Sequence, residues 1–138
     1  MNRMKNKVVI VTGGAQGIGA TYARALAAEG ADVAIADVLD GSAVATEIEA
    51  GGQRALYIKT DVTDQDQARA MAETVQERFG RIDVLVNNAA IYASLQMRPF
   101  DQIDLDEWDK VMAVNVRGPF VCARAVAPMM KARNYGRI

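Results

Sequence analysis

Histidine is absent from all 138 residues, and cysteine occurs once, at position 122. Without histidine, a Ser-His-Asp triad, a Cys-His pair and a histidine zinc site are all excluded within this chain. A single cysteine excludes an internal disulfide. Cys122 stands in an apolar helical stretch, where a small buried hydrophobe is expected rather than a reactive thiol. Net charge is also scarce: 16 basic against 17 acidic residues leave −1, so there is no bulk basic surface for nucleic acid. No apolar stretch approaches the length of a membrane span. The apolar run after the basic start is too short for a signal-peptide core and ends in a Thr-Gly-Gly turn. These absences lead to the expectation of a soluble, cytoplasmic protein with no nucleic-acid or membrane partner. The length suits one compact domain, residues 1–138.

What is present is an alternation. Residues 8–11 are a continuous β-branched run closed by glycines, the mark of a strand buried on both faces. Residues 18–29, rich in alanine and stopped by Gly30, read as a helix. A strand follows over 31–37. Ser42 is placed to cap a helix running to Gly51-Gly52. A third strand covers 55–60. A longer helix opens near Thr63, with acids in its first turn, Arg78 near its end and Gly80 as its stop. A fourth strand is expected over 82–87. Residues 91–100 show no periodicity. A helix over 104–112 puts Leu105, Trp108 and Met112 on one face, and a last helix runs from about Pro119 to Arg133. Strict β-α alternation with apolar strands predicts a doubly wound parallel sheet with right-handed crossovers, in strand order 3-2-1-4.

The first strand runs into the sequence T-G-G-A-Q-G-I-G, residues 12–19, and a helix follows. Glycines allow unusual dihedrals and leave no side chain between backbone and ligand. The helix N-terminus offers free N–H groups to a phosphate. The spacing matches neither G-x-G-x-x-G nor a Walker loop, so the loop alone is also compatible with a tight turn that holds nothing. Asp37 closes the second strand, which in such a sheet lies beside that loop. An acid there can bond both ribose hydroxyls of an adenosine and repels a 2′-phosphate, so NAD is expected over NADP. An isolated aspartate at a strand end is commonly just solvated; it is the pairing with the loop that favours a cofactor.

At four places the chain resembles the short-chain dehydrogenase/reductase family. Residues 12–19 match its T-G-x-x-x-G-I-G, Asp61-Val62 matches the D-V pair after the third strand, and Asn87-Asn88-Ala89-Ala90 resembles N-N-A-G. Asn115, in A-V-N-V-R-G, matches the asparagine of the catalytic tetrad. The four occur in the family's order and with its spacing over the whole chain.

The resemblance implies a Rossmann-like fold and roles for particular residues. Gly13, Gln16, Gly17, Ile18 and Gly19 would surround the cofactor pyrophosphate, and Asp37 would hold the adenine ribose. Asp61 and Val62 would address the adenine. Asn87 would brace the sheet, with Asn88 and Ala89 against the cofactor. Asn115 would interrupt helical hydrogen bonding and hold a water in a proton relay. Ala90 departs from the family's glycine. No metal site is expected.

The remaining catalytic groups of the family, a serine and a Tyr-x-x-x-Lys pair, match no position here. Tyr135 has no lysine four residues on and is not assigned to catalysis. A fifth strand is expected to begin near Gly136, since residues 82–87 are too apolar for an exposed edge. The chain is thus expected to be the cofactor-binding half of a longer NAD-dependent oxidoreductase acting on a secondary alcohol or ketone, inactive by itself. The alternative is a non-catalytic NAD-binding fragment or module. Tyr92, Leu95 and Met97 are candidates for an apolar substrate pocket or for simple loop packing. The family implies a homotetramer for a full-length protein.

Overall fold

The computed structural model describes residues 2–138. β1 (Val8–Thr12), β2 (Asp32–Asp37), β3 (Ala55–Lys59) and β4 (Val84–Val86) form one parallel sheet in the order β3-β2-β1-β4. Central β1 pairs with β2 from Val8↔Asp32 to Thr12↔Ala36, and with β4 from Val9↔Val84 to Val11↔Val86. The helices between them are α1 (Gly17–Ala28), α2 (Ser42–Ala50) and α3 (Gln65–Phe79). After β4 come a short 3-10 turn (Phe100–Gln102), α4 (Leu105–Met112), a π-helical turn (Ala113–Arg117) and α5 (Gly118–Ala132).

The period-2 geometry of a strand sends alternate side chains to opposite faces, and β1 is apolar on both. Val9 and Val11 join Val33, Ile35 and the small residues of α1 and α2 in one core. Val8 and Ile10 join Met71, Val75, Val121 and Val126 in the other, beneath α3 and α5. Ile10 and Ile35 are fully buried; each such side chain contributes about 1.5–3 kcal/mol relative to exposure. Cys122 is buried in the second core, and burial pushes its thiol up to about 11, so it stays neutral.

Four details differ from the sequence expectation. Ser42 is not the cap of α2. The Asp40 carboxylate accepts from the Ser42 N–H at 2.9 Å and from its hydroxyl at 2.6 Å, while Gly41 holds the cap position. α3 begins at Gln65, because the Asp64 carboxylate, not Thr63, takes the free N–H groups of Asp66 and Gln67. β4 keeps three residues instead of six. Asp83 gives its N–H to the Val8 carbonyl at 2.9 Å but answers the Val8 N–H with its carboxylate, at 2.9 Å, so the regular ladder starts only at Val84. Finally, the last two helices are one run joined by the π turn.

The outer side of β4 is already engaged. Arg137 forms a parallel bridge with Val84: its N–H donates to the Asp83 carbonyl at 3.0 Å, and its carbonyl accepts from the Leu85 N–H at 2.9 Å. This single bridge falls beside Gly136, where the sequence led to the expectation of a fifth strand; the sheet itself has four strands.

Candidate functional site

The carboxyl ends of the four strands open onto a groove of about 870 Å³. The glycine loop, the end of β2, the turn after β3 and the segment after β4 surround it. Gly13, Gln16, Gly17, Ile18 and Gly19 lie on one side; Asp37, Asp61 and Val62 lie at one end; Asn88 and Ala89 form the floor.

Close approach dictates the glycines of the loop. Gly13 has φ +64°, and a Cβ there would meet the Ala89 Cα at 2.8 Å. Gly19 sits inside α1, yet a Cβ there would overlap the Gly13 carbonyl oxygen, and would come 2.5 Å from the Asn88 Nδ2. Gly17 has φ +55° and nothing within 4 Å of its missing Cβ, so the space belongs to the groove. The first N–H groups of α1 point there without intrahelical acceptors, and Gln16 caps the helix with no side-chain bond. Such a cradle suits a phosphate.

Thr12 and Asn88 lock the loop onto β4. The Thr12 hydroxyl donates to the Val86 carbonyl at 3.3 Å and accepts from the N–H groups of Asn88 and Ala89, both at 3.1 Å. The Asn88 carboxamide donates to the Thr12 and Gly13 carbonyls, both at 3.0 Å. The bracing assigned to Asn87 in the sequence thus falls to Asn88.

Asp37 is buried at the groove end, with its carboxylate oriented by two backbone donors. Oδ2 accepts from the Ala15 N–H at 2.9 Å and Oδ1 from the Leu39 N–H at 3.0 Å. Each oxygen retains a free lone pair. The neighbouring Tyr57 phenol is pushed upward by burial first and then by the charges of Asp40 and Asp37. Asp61 is held by Thr63, whose N–H and hydroxyl reach Oδ1 at 2.9 and 2.7 Å.

Asn115 lies outside the groove wall. In the π turn, its Oδ1 accepts from the Ile91 N–H at 2.8 Å and its Nδ2 donates to the Ile91 carbonyl at 3.0 Å. It therefore supports the groove segment that Ile91 begins. The π turn interrupts the regular helix around this asparagine. Tyr92 and Leu95 border the groove, whereas Met97 points fully into solvent away from it. Tyr135 lies at the opposite end of the sheet, its ring 4.0 Å beneath the Lys7 ammonium. That end is separated from the glycine loop by the length of β1, roughly 16 Å.

Sequence reasoning passed over Val111, Val114 and Lys110, which α4 and the π turn bring to the groove. Their i, i+1 and i+4 spacing looks like any helix face. It also passed over the Ala15 N–H, a backbone group that no side-chain pattern reveals.

A family model described as short chain dehydrogenase matches residues 7–138. The chain is 44% identical over 134 residues to a galactitol 2-dehydrogenase of Agrobacterium fabrum, covering 97% of this chain and 51% of that protein. It is 41% identical over 138 residues to a 3-alpha-(or 20-beta)-hydroxysteroid dehydrogenase of Mycobacterium tuberculosis, covering 99% of this chain and 51% of that one. A crystal structure of a short-chain type dehydrogenase/reductase from Mycobacterium marinum superposes with a TM-score of 0.89 at 34% identity, covering 97% of this chain and 54% of that one. The chain spans about half the length of the curated relatives it matches. With the parallel sheet, the glycine cradle and the interrupted helix at Asn115 in one frame, the chain belongs to the short-chain dehydrogenase family.

Proposed function

We propose that this chain is the cofactor-binding part of an NAD-dependent oxidoreductase that interconverts a secondary alcohol and a ketone. The observation that carries the reading is the Asp37 carboxylate, fixed by Ala15 and Leu39 at the end of a glycine-lined groove. Two oriented carboxylate oxygens suit the two hydroxyls of an adenosine ribose, and their charge opposes a 2′-phosphate. The open space at Gly17 and the exposed N-terminus of α1 fit a pyrophosphate. Asp61 and Val62 face the adenine, and Asn88 and Ala89 support the nicotinamide half. Bound there, the dinucleotide would supply a hydride acceptor or donor.

In the oxidative direction the carbinol carbon gives up a hydride and its hydroxyl gives up a proton. Asn115, through Ile91 and the widened helical turn around it, orders the groove wall where that proton would pass to a water. Serine, tyrosine and lysine of the family's tetrad match no residue of this chain, and no residue here is assigned as the base. The relatives' names, a galactitol dehydrogenase and a hydroxysteroid dehydrogenase, support a hydroxyl-bearing small-molecule substrate. Residues 1–138 act in this reading as one dinucleotide-binding domain. Leu105, Trp108, Met112, Val116 and Phe120, all exposed at steps of three or four residues along the α4–α5 run, support self-association.

Equilibrium titration of the purified protein with NADH and NADPH, followed by nicotinamide fluorescence, tests the reading. Saturable binding with NADH preferred is expected. Tighter binding of NADPH, or no binding of either, overturns it.

A further inference from the structure

We infer that Arg117 is a positioning residue that locks the adenine end of the cofactor groove to the π turn carrying Asn115. The inference rests on the cofactor reading above. The Arg117 guanidinium donates from Nη1 to the Thr63 carbonyl at 2.7 Å. Thr63 in turn supplies both bonds that orient the Asp61 carboxylate, at 2.9 and 2.7 Å. The next residue, Gly118, packs against the same loop so tightly that a Cβ would come 2.8 Å from the Val62 Cγ2. Asp61 and Val62 line this end of the groove together with Asp37.

The same five-residue turn grips the other wall. Two residues before Arg117, Asn115 holds both backbone groups of Ile91. The turn thus bears on the Asp61–Val62 loop through Arg117 and Gly118, and on the segment after β4 through Asn115. Side chains two residues apart project to nearly opposite sides of a helical turn, so Asn115 and Arg117 reach different walls.

Thr63 precedes the cap of α3 and belongs to a loop whose other ties are local. Asp61 N–H donates to the Gln67 Oε1 at 2.9 Å and Asp64 N–H to the Asp61 carbonyl at 3.1 Å. These shape the loop, while Arg117 and the Gly118 contact fasten it to the opposite element, with Arg124 reaching the Gln65 Oε1 just beyond it at 3.3 Å. A loop ordered before the ligand arrives does not lose that freedom on binding. Arg117 therefore acts on the adenosine half of the cofactor and not on the nicotinamide half.

The test compares three probes on the purified protein: NADH, AMP, and reduced nicotinamide mononucleotide, which lacks the adenosine. Arg117→Met keeps the aliphatic stem and removes the donor. It is expected to weaken NADH and AMP by the same factor, about tenfold, and to leave the mononucleotide within about twofold. Arg117→Lys, which still donates, recovers most of the loss. Gly118→Ala, a substitution a helix interior welcomes, displaces Val62 and gives the same adenosine-selective pattern. Unchanged NADH affinity in Arg117→Met, or an equal loss for all three probes, overturns the inference. If the unsubstituted protein fails to bind NADH, the cofactor reading falls and this inference with it. If it binds NADH normally and only the Arg117 variants behave otherwise than expected, the inference alone falls.

Discussion

Asn115 and Ile91 exchange two hydrogen bonds across 24 residues, the asparagine carboxamide answering both the N–H and the C=O of one backbone unit. Only a carboxamide can do this, since it carries a donor and an acceptor on one rigid plane. Asn115→Ala leaves both Ile91 groups unpaired in a half-buried site, at about 1–2 kcal/mol. Asn115→Asp keeps the acceptor but sets a carboxylate against the Ile91 carbonyl. Both variants are expected to lower the urea midpoint. Asn115→Gln, too long for the same plane, is expected not to restore it. A midpoint unmoved in Asn115→Ala would show the pair to be incidental.

Asp37 lines the groove with its carboxylate, and two backbone donors orient it. A 2′-phosphate about 4 Å away would be repelled by up to about 4 kcal/mol at a near-surface dielectric. Screening in the open groove reduces that to roughly 2–3 kcal/mol, a discrimination of about a hundredfold. Asp37→Ser removes the charge and one ribose partner. NADH affinity is then expected to fall and NADPH affinity to rise, bringing the two within about tenfold. Parallel fluorescence titrations read the ratio, and a ratio that stays put would mean Asp37 does not select the cofactor.

Asp83 is fully buried at the other end of the sheet, paired with Arg81 and Arg133 and bonded to the Val8 N–H. Burial pushes its carboxyl up, but Arg81, the Val8 N–H and Arg133 together outweigh burial and hold it below the ordinary range. A carboxyl lowered in the fold stabilises above its unfolded pKa, about 3.9, and loses that contribution as pH falls through the lower folded value. Stability is therefore expected to be flat from neutrality to about pH 5 and to decline below it. Asp83→Asn is expected to cost about 2 kcal/mol at pH 7 and to flatten the acid decline. Chemical denaturation from pH 3 to 7 measures both, and an unchanged acid slope would assign the decline to other carboxylates.

Phe120 and Val116 stand exposed on the run from α4 to α5, in line with Met112, Trp108 and Leu105. A second copy meeting the same stripe would bury it by two-fold symmetry. Phe120→Glu places a charge in that contact without touching either core. Light scattering is expected to show a multimer for the unsubstituted protein and a smaller species for the variant. A monomer in both cases would leave the stripe to a different partner.

Local chemistry made much of this legible. The β-branched run of β1, the glycine cluster and the stops at Gly30 and Gly80 are short-range signals, and the elements follow them. The groove residues were within reach because strand order brings Gly13, Asp37, Asp61 and Asn88 to one edge of the sheet. What escaped depends on distant partners. Nothing local marks Asp83 within the strand expected over 82–87, because its partner Arg133 lies fifty residues on. Asn115 suggested an irregular helix, but its partner Ile91 sits in a segment without periodicity. Ser42 looked like a cap by residue type, whereas Asp40, two residues earlier, supplied the acceptor.

Gly17 and Gly19 share a motif but are glycines for different physical reasons, and alanine separates them. At Gly17 a methyl meets nothing within 4 Å, and its burden is φ +55°, a strain of about 1 kcal/mol for an L-residue. The methyl also enters the groove itself. At Gly19 the backbone is helical, so alanine suits it, yet its Cβ would overlap the Gly13 carbonyl and press on Asn88. Neither neighbour can yield easily, because Asn88 is bonded to both Thr12 and Gly13. Gly17→Ala is therefore expected to reduce NADH affinity about tenfold with a melting temperature only slightly lowered. Gly19→Ala is expected to lower the melting temperature and to abolish NADH binding together, because it parts the loop from β4. Equal melting temperatures for the two variants would mean that the close contact at Gly19 relaxes at little cost.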